Sequence, residues 1–322
     1  SGFELHDPQF NESAGRLVIT SDGHDWLATD GRYLDAASRI WDRERIFIYG
    51  GNAARELHGL LRRCGSRIGI EANGVSLAFA RDLTDAGSGL YCEAADGMVE
   101  RLRRIKEPCE IAALEKSFAL NHKLMKWVEG QLEPGRTEAD ISWLIERFFR
   151  ENGASELAFA NIVAVGKNAA LPHAIPGQDA VTDNCPVLVD VGCRVENYCS
   201  DQTRTFWVGT APADEFRRAL DLTRQAQTAA IEGMRPGMPL RMAYALAHDV
   251  FAKAGVANAF THGLGHGVGL ETHEAPSLSP RAEGVLEPGM VVTVEPGLYY
   301  PQWGGIRWEY TVLVEEDGVR IL

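Results

Sequence analysis

The sequence predicts an α+β protein in which a small α/β domain precedes a larger, internally duplicated domain. Three observations lead to this prediction. The first hundred residues alternate strand and helix patterns, whereas the remainder twice shows two amphipathic helices followed by strand-like segments. A Pro-Gly pair follows the first helix of each half, at Pro134-Gly135 and at Pro236-Gly237. A repeated unit of this kind implies a pseudo-two-fold axis, so that a site could lie between two sheets.

In the N-terminal part, strand and helix patterns follow one another with turn residues between them. Helices are predicted at the segments "GRYLDAASRIW", "NAARELHGLLRRCG" and "VSLAFARDLTDAG". Strands are predicted at "RLVITSDG", "DWLATD", "RIFIYGG", "RIGIEANG" and "GLYCEAA". This alternation is typical of a small α/β domain.

The boundary between the two parts falls in a basic stretch from Glu100 to Pro108. We interpret this stretch as a solvent-exposed run of charges, and we place the domains at residues 1–104 and 105–322. The sequence opens on "SGFELHDPQF" without an initiator methionine, from which we expect that part of the natural N-terminus is missing.

Composition excludes several classes of protein. Of the 322 residues, 45% are hydrophobic and 24% charged, which is typical of a soluble globular chain. The net charge of −13 argues against a nucleic-acid partner, and no apolar run approaches the roughly 18 residues of a membrane helix. The six cysteines are scattered without a C-x-x-C pair, which favours a reducing, cytoplasmic location.

Asp190 interrupts an otherwise apolar strand in "CPVLVDVG". A buried carboxylate is costly unless a cation compensates it. Asp201 is symmetric with Asp190 about a turn between Val195 and Glu196, so a hairpin would place the two directly opposite each other, with Cβ atoms roughly 5 Å apart. Like charges so close need a positive partner between them.

A second pair repeats this pattern near the C-terminus, where Glu295 and Glu309 are symmetric about Gln302. Between the pairs lies "THGLGHGVGLETHE", whose glycines each cost about 1 kcal/mol in a helix and therefore exclude one. The segment also lacks the H-E-x-x-H pattern. Four carboxylates balance two divalent cations, and one of the three histidines would complete the ligand set. Such a set suits manganese, cobalt or iron better than a structural zinc.

Five ordered motifs carry a family resemblance, namely "VLVDVG", "YCSDQTRTF", "GHGVGLETHE", "TVEPG" and "GIRWEYTVLV". They resemble the pita-bread (creatinase/aminopeptidase) metallopeptidases, and within them the proline-specific Xaa-Pro aminopeptidases and Xaa-Pro dipeptidases (prolidases). "LATDGRYLDAA" and "IGIEANG" are similar to the creatinase-like N-terminal domain. The resemblance covers nearly the whole chain.

The resemblance implies a ligand set for two divalent ions, most suitably Mn²⁺, with Co²⁺, Fe²⁺ or Zn²⁺ as alternatives. Asp201 and Glu309 would bridge both ions, Asp190 would serve one, and His266 with Glu295 the other. The odd spacing between His266 and a second histidine, His273, puts them on opposite faces of a straight strand. If both reach the site, the glycines must allow a bend.

The resemblance also implies residues on the substrate side. His173 and His273 would stabilise the oxyanion, and His262 would line the pocket. Arg307 would pair with the ligand carboxylates and orient them. Arg281 aligns with a basic position that reaches the C-terminal carboxylate of dipeptides. Three residues depart from the family pattern, namely Ala174, Trp308 and Tyr310. The aromatic departures would reshape the pocket.

The function implied is that of a metal-dependent exopeptidase that cleaves Xaa-Pro bonds, either at the N-terminus of peptides or in dipeptides. Two metals would share a hydroxide that attacks the scissile carbonyl, and Glu295 would pass the proton to the leaving nitrogen. Another hydrolase or lyase on the same fold, or a non-catalytic peptide-binding homologue, remains open as an alternative. The family resemblance further implies a homodimer.

Overall fold

The computed structural model describes residues 6–7 and 12–322. The chain divides into two compact units, Ser1–Val99 and Glu100–Leu322. The division lies five residues before the boundary placed after residue 104, and both positions belong to one helix, Met98–Arg104. In the described residues, no helix is long and apolar enough to cross a membrane.

The first unit alternates strands and helices at the predicted segments. Its elements are β1 (His6–Asp7), β2 (Glu12–Ser13), β3 (Arg16–Ile19), β4 (Asp25–Asp30), α1 (Leu34–Ile40), β5 (Ile46–Tyr49), α2 (Ala53–Cys64), β6 (Arg67–Ile70), α3 (Leu77–Asp85) and β7 (Tyr91–Ala94). Strands β3, β4 and β5 form one sheet, and β6 pairs with β7 in parallel. Helix α2 begins where the Asn52 side chain accepts from the Arg55 N–H, and it buries an apolar stripe at helical spacing.

The second unit contains two halves with the same succession of elements. The first half comprises α4 (Met98–Arg104), α5 (Pro108–Val128), α6 (Glu138–Glu151), β8 (Glu156–Leu157), β9 (Ile162–Val165), β10 (Cys185–Val191), β11 (Cys193–Val195), β12 (Tyr198–Cys199) and β13 (Gln202–Val208). The second half comprises α7 (Asp214–Gly233), α8 (Leu240–Lys253), β14 (Gly265–Gly267), β15 (Glu274–Leu278), β16 (Val291–Val294), β17 (Gly297–Tyr300), β18 (Gly304–Arg307), β19 (Tyr310–Val314) and β20 (Val319–Ile321). The main sheets have the orders β13-β10-β9 and β15-β14-β16-β19-β20.

The predicted duplication extends to individual hydrogen bonds. Gly135 and Gly237, the glycines of the two Pro-Gly pairs, both have positive φ, at 94° and 81°. Their N–H groups donate to the carbonyls of Val181 and Leu286, each over 2.8 Å. Both turns need a left-handed residue, which glycine adopts without a steric penalty.

Each half packs its own helices against one face of its own sheet. Residues 187, 189 and 191 of β10 pack with the apolar side of α6, and residues 292 and 294 of β16 pack with α7 and α8. Side chains alternate along a strand, so Asp190 and Glu295 each point away from the helix-covered face of their own sheet. The carboxylates therefore lie on the faces that the helices leave uncovered.

The interpretation of Glu100 to Pro108 as a solvent-exposed run of charges is wrong for two residues, Arg103 and Lys106. The Lys106 side chain is only 1% exposed, and its ammonium lies 3.1 Å from the Glu274 carboxylate. Arg103 pairs with the same carboxylate. Because Glu274 is itself buried, it needs these cations, and the pairing ties the stretch to the strand that follows His273.

Candidate metal centre

Four carboxylates converge where the two halves of the second unit meet. Asp190 stands near the end of β10, Asp201 precedes β13, Glu295 follows β16 and Glu309 precedes β19. Oxygens of Asp190, Asp201 and Glu309 all lie within 4.8 Å of one another, and these three residues are buried. Each half thus contributes one aspartate pair or one glutamate pair, as the duplication requires.

The register predicted for the glutamate pair is confirmed on both sides of the site. Val294 pairs with Tyr310 in one ladder, and Gly297 pairs with Arg307 in the next. Positions 295 and 309 lie between these two ladders, and continuing either register would pair residue 295 with residue 309. The two glutamates therefore lie opposite each other at a break between strands, where their backbone N–H groups donate to the carbonyls of Leu264 and Thr203.

The register predicted for the aspartate pair is wrong, because Asp190 pairs with Thr203 and not with Asp201. The hairpin turns at Glu196 and Asn197, both with positive φ (49° and 72°), and not between Val195 and Glu196. Two such residues form the tight turn that matches strand twist. The resulting shift is two residues, which keeps every side chain on its face. Asp201 therefore remains on the same side as Asp190, as its diagonal neighbour.

His266 completes the cluster. Its Nε2 lies 3.6 Å from Asp201 Oδ2 and 3.4 Å from Glu295 Oε1. Its Nδ1 lies 3.1 Å from the carbonyl of Gly267, and because a carbonyl only accepts, Nδ1 carries a proton there. Nε2 is therefore the ring nitrogen that is directed at the carboxylates.

The glycines around His266 are required by close backbone packing. A Cβ on Gly265 would lie 2.0 Å from the carbonyl oxygen of Thr293, and one on Gly267 would lie 2.4 Å from that of Ala275. The expected bend is present as a register shift between His266 and Gly267, after which the chain reverses into β15. As a result, the ring centroids of His266 and His273 are 4.2 Å apart.

The electrostatics of the cluster call for a cation. Burial, together with the charges of Glu295 and Asp190, raises the pKa of Glu309 to about 8, and burial beside Glu309 raises the pKa of Asp201 well above its usual range. Burial alone would raise the pKa of Glu295, but the hydrogen bond and charge of His266 lower it to about 2. The same contact raises the pKa of His266 to about 9, against the effect of burial.

Two oxygens of the cluster have no hydrogen-bond partner among the described residues, although they are buried. They are Asp190 Oδ1 and Glu309 Oε1. A buried, unpaired carboxylate oxygen is costly unless it binds a cation. An oxygen-rich set with one imidazole fits a divalent metal of the manganese or iron type.

Arg307 is the buried cation that joins the carboxylates from both halves. Its Nη2 lies 2.5 Å from Asp190 Oδ2, and its Nε lies 3.9 Å from Glu295 Oε2. Its Nε also donates to Thr203 Oγ1, which in turn donates to Glu309 Oε2 over 2.8 Å. These contacts are those expected of a residue that orients the carboxylates.

His262 belongs to the same network through Tyr299. Its Nδ1 lies 2.7 Å from the Gly263 carbonyl, so Nδ1 is protonated and Nε2 accepts from the Tyr299 hydroxyl at 2.8 Å. The Tyr299 oxygen accepts from Arg307 over 2.9 Å. Burial lowers the pKa of His262, which keeps this imidazole neutral.

The remaining predicted residues lie at different distances from the carboxylates. His173 is exposed on the loop after β9, where its neighbour Pro172 accepts a hydrogen bond from Arg307. Arg281 is exposed after β15, and within the part of the chain that the structure describes no contact joins it to the cluster. The rings of Trp308 and Tyr310 pack on the Arg204 guanidinium at 4.5 and 4.3 Å, and their predicted effect on the pocket stays a prediction.

Sequence reasoning missed three residues that hold the ligands in place: Thr203, Thr293 and Tyr299. Thr293 donates to Glu295 Oε1 over 3.3 Å and accepts from the His266 N–H. A signal for two of them is present in the sequence, because Thr203 and Thr293 each stand two residues from a carboxylate and hence share its side of the strand. Tyr299 has no comparable signal.

Comparison with known proteins agrees with this geometry. Residues 112–316 match metallopeptidase family M24, and residues 1–105 match the creatinase/prolidase N-terminal domain. The chain belongs to metallopeptidase family M24. Members of this family use divalent metals, and the pita-bread fold predicted from the sequence is confirmed.

Several relatives align along most of the chain. An uncharacterised peptidase of Bacillus subtilis is 34% identical over 318 residues, covering 97% of this chain and 88% of the relative. The Xaa-Pro dipeptidase from Bacillus anthracis superimposes with a TM-score of 0.92 at 33% identity, covering 97% and 88% of the two chains. The X-Pro aminopeptidase from Thermotoga maritima superimposes with a TM-score of 0.86 at 30% identity, covering 97% of this chain and 89% of that one. These neighbours belong to the proline-specific branch that the sequence motifs indicated.

Replacing Asp201 or Glu309 by alanine is expected to remove metal and peptidase activity together. We expect metal affinity to fall by more than about 100-fold, because loss of a ligand should weaken binding more than loss of a residue that only hydrogen-bonds to a ligand. The metal-free variants should melt no lower than the metal-free parent, because the substitution relieves carboxylate repulsion. Metal analysis, activity and calorimetry check these outcomes, with Asp221→Ala on the exposed side of α7 as control. A variant that keeps its metal and most of its turnover would contradict the assignment.

Binding of Mn²⁺ to metal-free protein at pH 7 is expected to release protons. Glu309, with a pKa of about 8, and His266, with a pKa of about 9, are largely protonated at pH 7 and must be deprotonated to bind metal. The release should amount to at least about two protons, to which Asp201 adds because its pKa is also raised, and should fade as the pH rises above about 9. Titration calorimetry in two buffers of different ionisation enthalpy measures it. Binding enthalpies that do not depend on the buffer would be incompatible with this account.

Proposed function

We propose that this chain is an exopeptidase that hydrolyses the bond between any residue and proline, with two divalent cations, most suitably Mn²⁺. The observation that carries the proposal is the cluster of three buried carboxylates with Glu295 and His266 beside them, in which two oxygens lack a partner among the described residues. An Xaa-Pro dipeptidase and an X-Pro aminopeptidase among its structural neighbours support the choice of bond.

Five residues would hold the cations: Asp190, Asp201, His266, Glu295 and Glu309. Asp201 and Glu309, one from each half, lie at the centre of this set with Asp190. Divalent cations held there would supply Lewis-acid chemistry, which makes a water easier to deprotonate and a carbonyl easier to attack. Arg307 keeps the Asp190 carboxylate oriented, and through Thr203 it also fixes Glu309.

Glu295 is the group proposed to move the proton. As a carboxylate beside the reacting centre, it would accept a proton from the attacking water. It would then deliver this proton to the nitrogen of the departing proline. The hydrogen bond from Thr293 holds Oε1 in place during both transfers.

The histidines are proposed to recognise the scissile carbonyl. The nitrogen of an Xaa-Pro bond carries no hydrogen, so the substrate offers its carbonyl and no N–H at this position. Burial and the neighbouring His266 lower the pKa of His273, so this imidazole is neutral at pH 7 and donates one hydrogen bond. Together with His173 it would stabilise the negative oxygen that forms when the carbonyl is attacked.

Replacement of His173 by alanine is expected to lower kcat by about 100-fold while the metal content stays unchanged. The reason is that His173 would act on charge in the transition state and does not hold the metal. Steady-state kinetics on an Xaa-Pro substrate, with metal analysis of the same sample, measures both quantities. Loss of metal with normal turnover of the loaded fraction would instead make His173 a ligand.

Hydrolysis of Xaa-Pro compared with Xaa-Pro-Yaa tests the proposed function and separates dipeptidase from aminopeptidase. A dipeptidase needs a cation for the free carboxylate next to proline, and Arg281 is the proposed group because a guanidinium binds a carboxylate through two hydrogen bonds. Arg281→Ala should then raise KM for the dipeptide about tenfold more than for the dipeptide amide. No turnover of either substrate in the Mn²⁺-loaded protein would refute the proposed function, and equal effects on the two KM values would remove Arg281 from the site.

Assembly and location are further parts of the proposal. The family resemblance supports a homodimer, which sedimentation velocity at two concentrations tests against a concentration-independent monomer. All six cysteines are free, which supports a reducing, cytoplasmic location. Fractionation of the native cell checks the location.

A further inference from the structure

Glu138 is a fully buried carboxylate outside the metal centre, at the first position of α6. Within the described part of the chain it forms no ion pair, and hydrogen bonds hold both of its carboxyl oxygens. Oε1 accepts from the N–H of Val165, over 2.7 Å, and from the Asn168 side chain, over 2.9 Å. Oε2 accepts from the N–H of Gly177, over 2.8 Å.

The three donors bracket the loop that carries His173. Val165 is the last residue of β9 and Gly177 lies beyond the histidine, so one carboxylate holds both ends of the segment 166–177. Two backbone hydrogen bonds strengthen the far end, from Glu138 N–H to Asp179 and from Ala139 N–H to Gly177. The loop thus closes on the N-terminus of α6, which favours a negative charge.

The tip of the loop carries several exposed side chains. Leu171 is 58% exposed, Ile175 is 89% exposed and His173 between them is exposed as well. The start of the loop lies directly on β18, where a Cβ on Gly304 would lie 2.5 Å from the Gly166 carbonyl. On either side of His173, however, Ala174 is buried and the Pro172 carbonyl accepts from Arg307. The position of His173 therefore depends on these two neighbours together with the anchors at the base of the loop.

We propose that Glu138 is a positioning residue for His173. The inference rests on the proposed function, in which His173 acts on the scissile carbonyl. A carboxylate suits the role because it offers acceptors on both oxygens, whereas an amide would direct an N–H₂ group at one of the N–H donors. Misplacement of an active group by about 1 Å is enough to slow catalysis by about 100-fold.

A double-mutant cycle with Glu138→Gln and His173→Ala tests this coupling in the full-length, Mn²⁺-loaded protein. Glu138→Gln alone should lower kcat about tenfold or more with metal content unchanged. In the His173→Ala background the same change should have less than about a twofold further effect, because the group it positions is gone. A general weakening of the fold would instead give the same fold-loss in both backgrounds and overturn the inference. Glu146→Gln, at a more exposed position on the same helix, is the matched control and should leave kcat unchanged.

Hydrogen exchange provides a readout that does not depend on activity. In Glu138→Gln, the segment 166–177 should exchange faster, while the segment 262–274 around the other histidines should not change. Unchanged exchange at 166–177 would overturn the inference whatever the kinetics. If His173→Ala alone leaves kcat intact, the proposed role of His173 fails, and the exchange result still decides whether Glu138 holds the loop. Should Glu138→Gln not fold, Asn168→Ala removes one of the three donors and should shift both readouts in the same direction.

Discussion

Mutual repulsion of buried carboxylates is the constraint on which the rest of the catalytic unit depends. Oxygens of Asp190, Asp201 and Glu309 lie within 4.8 Å of one another, with Glu295 beside them. Without a cation, burial and neighbouring charges raise the pKa of Glu309 to about 8 and leave oxygens unpaired. A divalent cation removes both penalties, so the affinity of the site for metal derives from the destabilisation that the fold imposes.

The duplicated scaffold makes such a cluster possible. Each half covers one face of its sheet with its own helices and leaves the other face for a pair of carboxylates. Asp190 lies within β10, whereas Asp201, Glu295 and Glu309 lie just outside the ends of their strands. Arg307 is the permanent cation of this arrangement, because it pairs with Asp190 from the first half and lies near Glu295 in the second. It offsets part of the negative charge while the uncoordinated oxygens remain available.

The histidines around the cluster are held by groups that are themselves buried and charged or closely packed. His273 is next to Glu274, which binds Lys106 and Arg103, and His173 is on the loop that Glu138 closes. His266 stands on a strand whose glycines let neighbouring carbonyls approach closely. In each case the chain beside the histidine is fixed by close contacts, which positions His266 towards the carboxylates and leaves His173 and His273 exposed. This arrangement agrees with the general need for rigid supports behind mobile side chains in a catalytic site.

The sequence by itself determined the alternation of the first unit, the duplication of the second, the ligand-type residues and the register of Glu295 with Glu309. These features are encoded locally, by periods of two and 3.6 residues and by symmetric spacing about a turn. Tertiary structure decided what depends on partners far along the chain. It moved the aspartate hairpin by two residues, because Glu196 and Asn197 adopt positive φ. It also buried Lys106 against Glu274, since a buried carboxylate takes the nearest available cation, and no sequence pattern announces which one that will be.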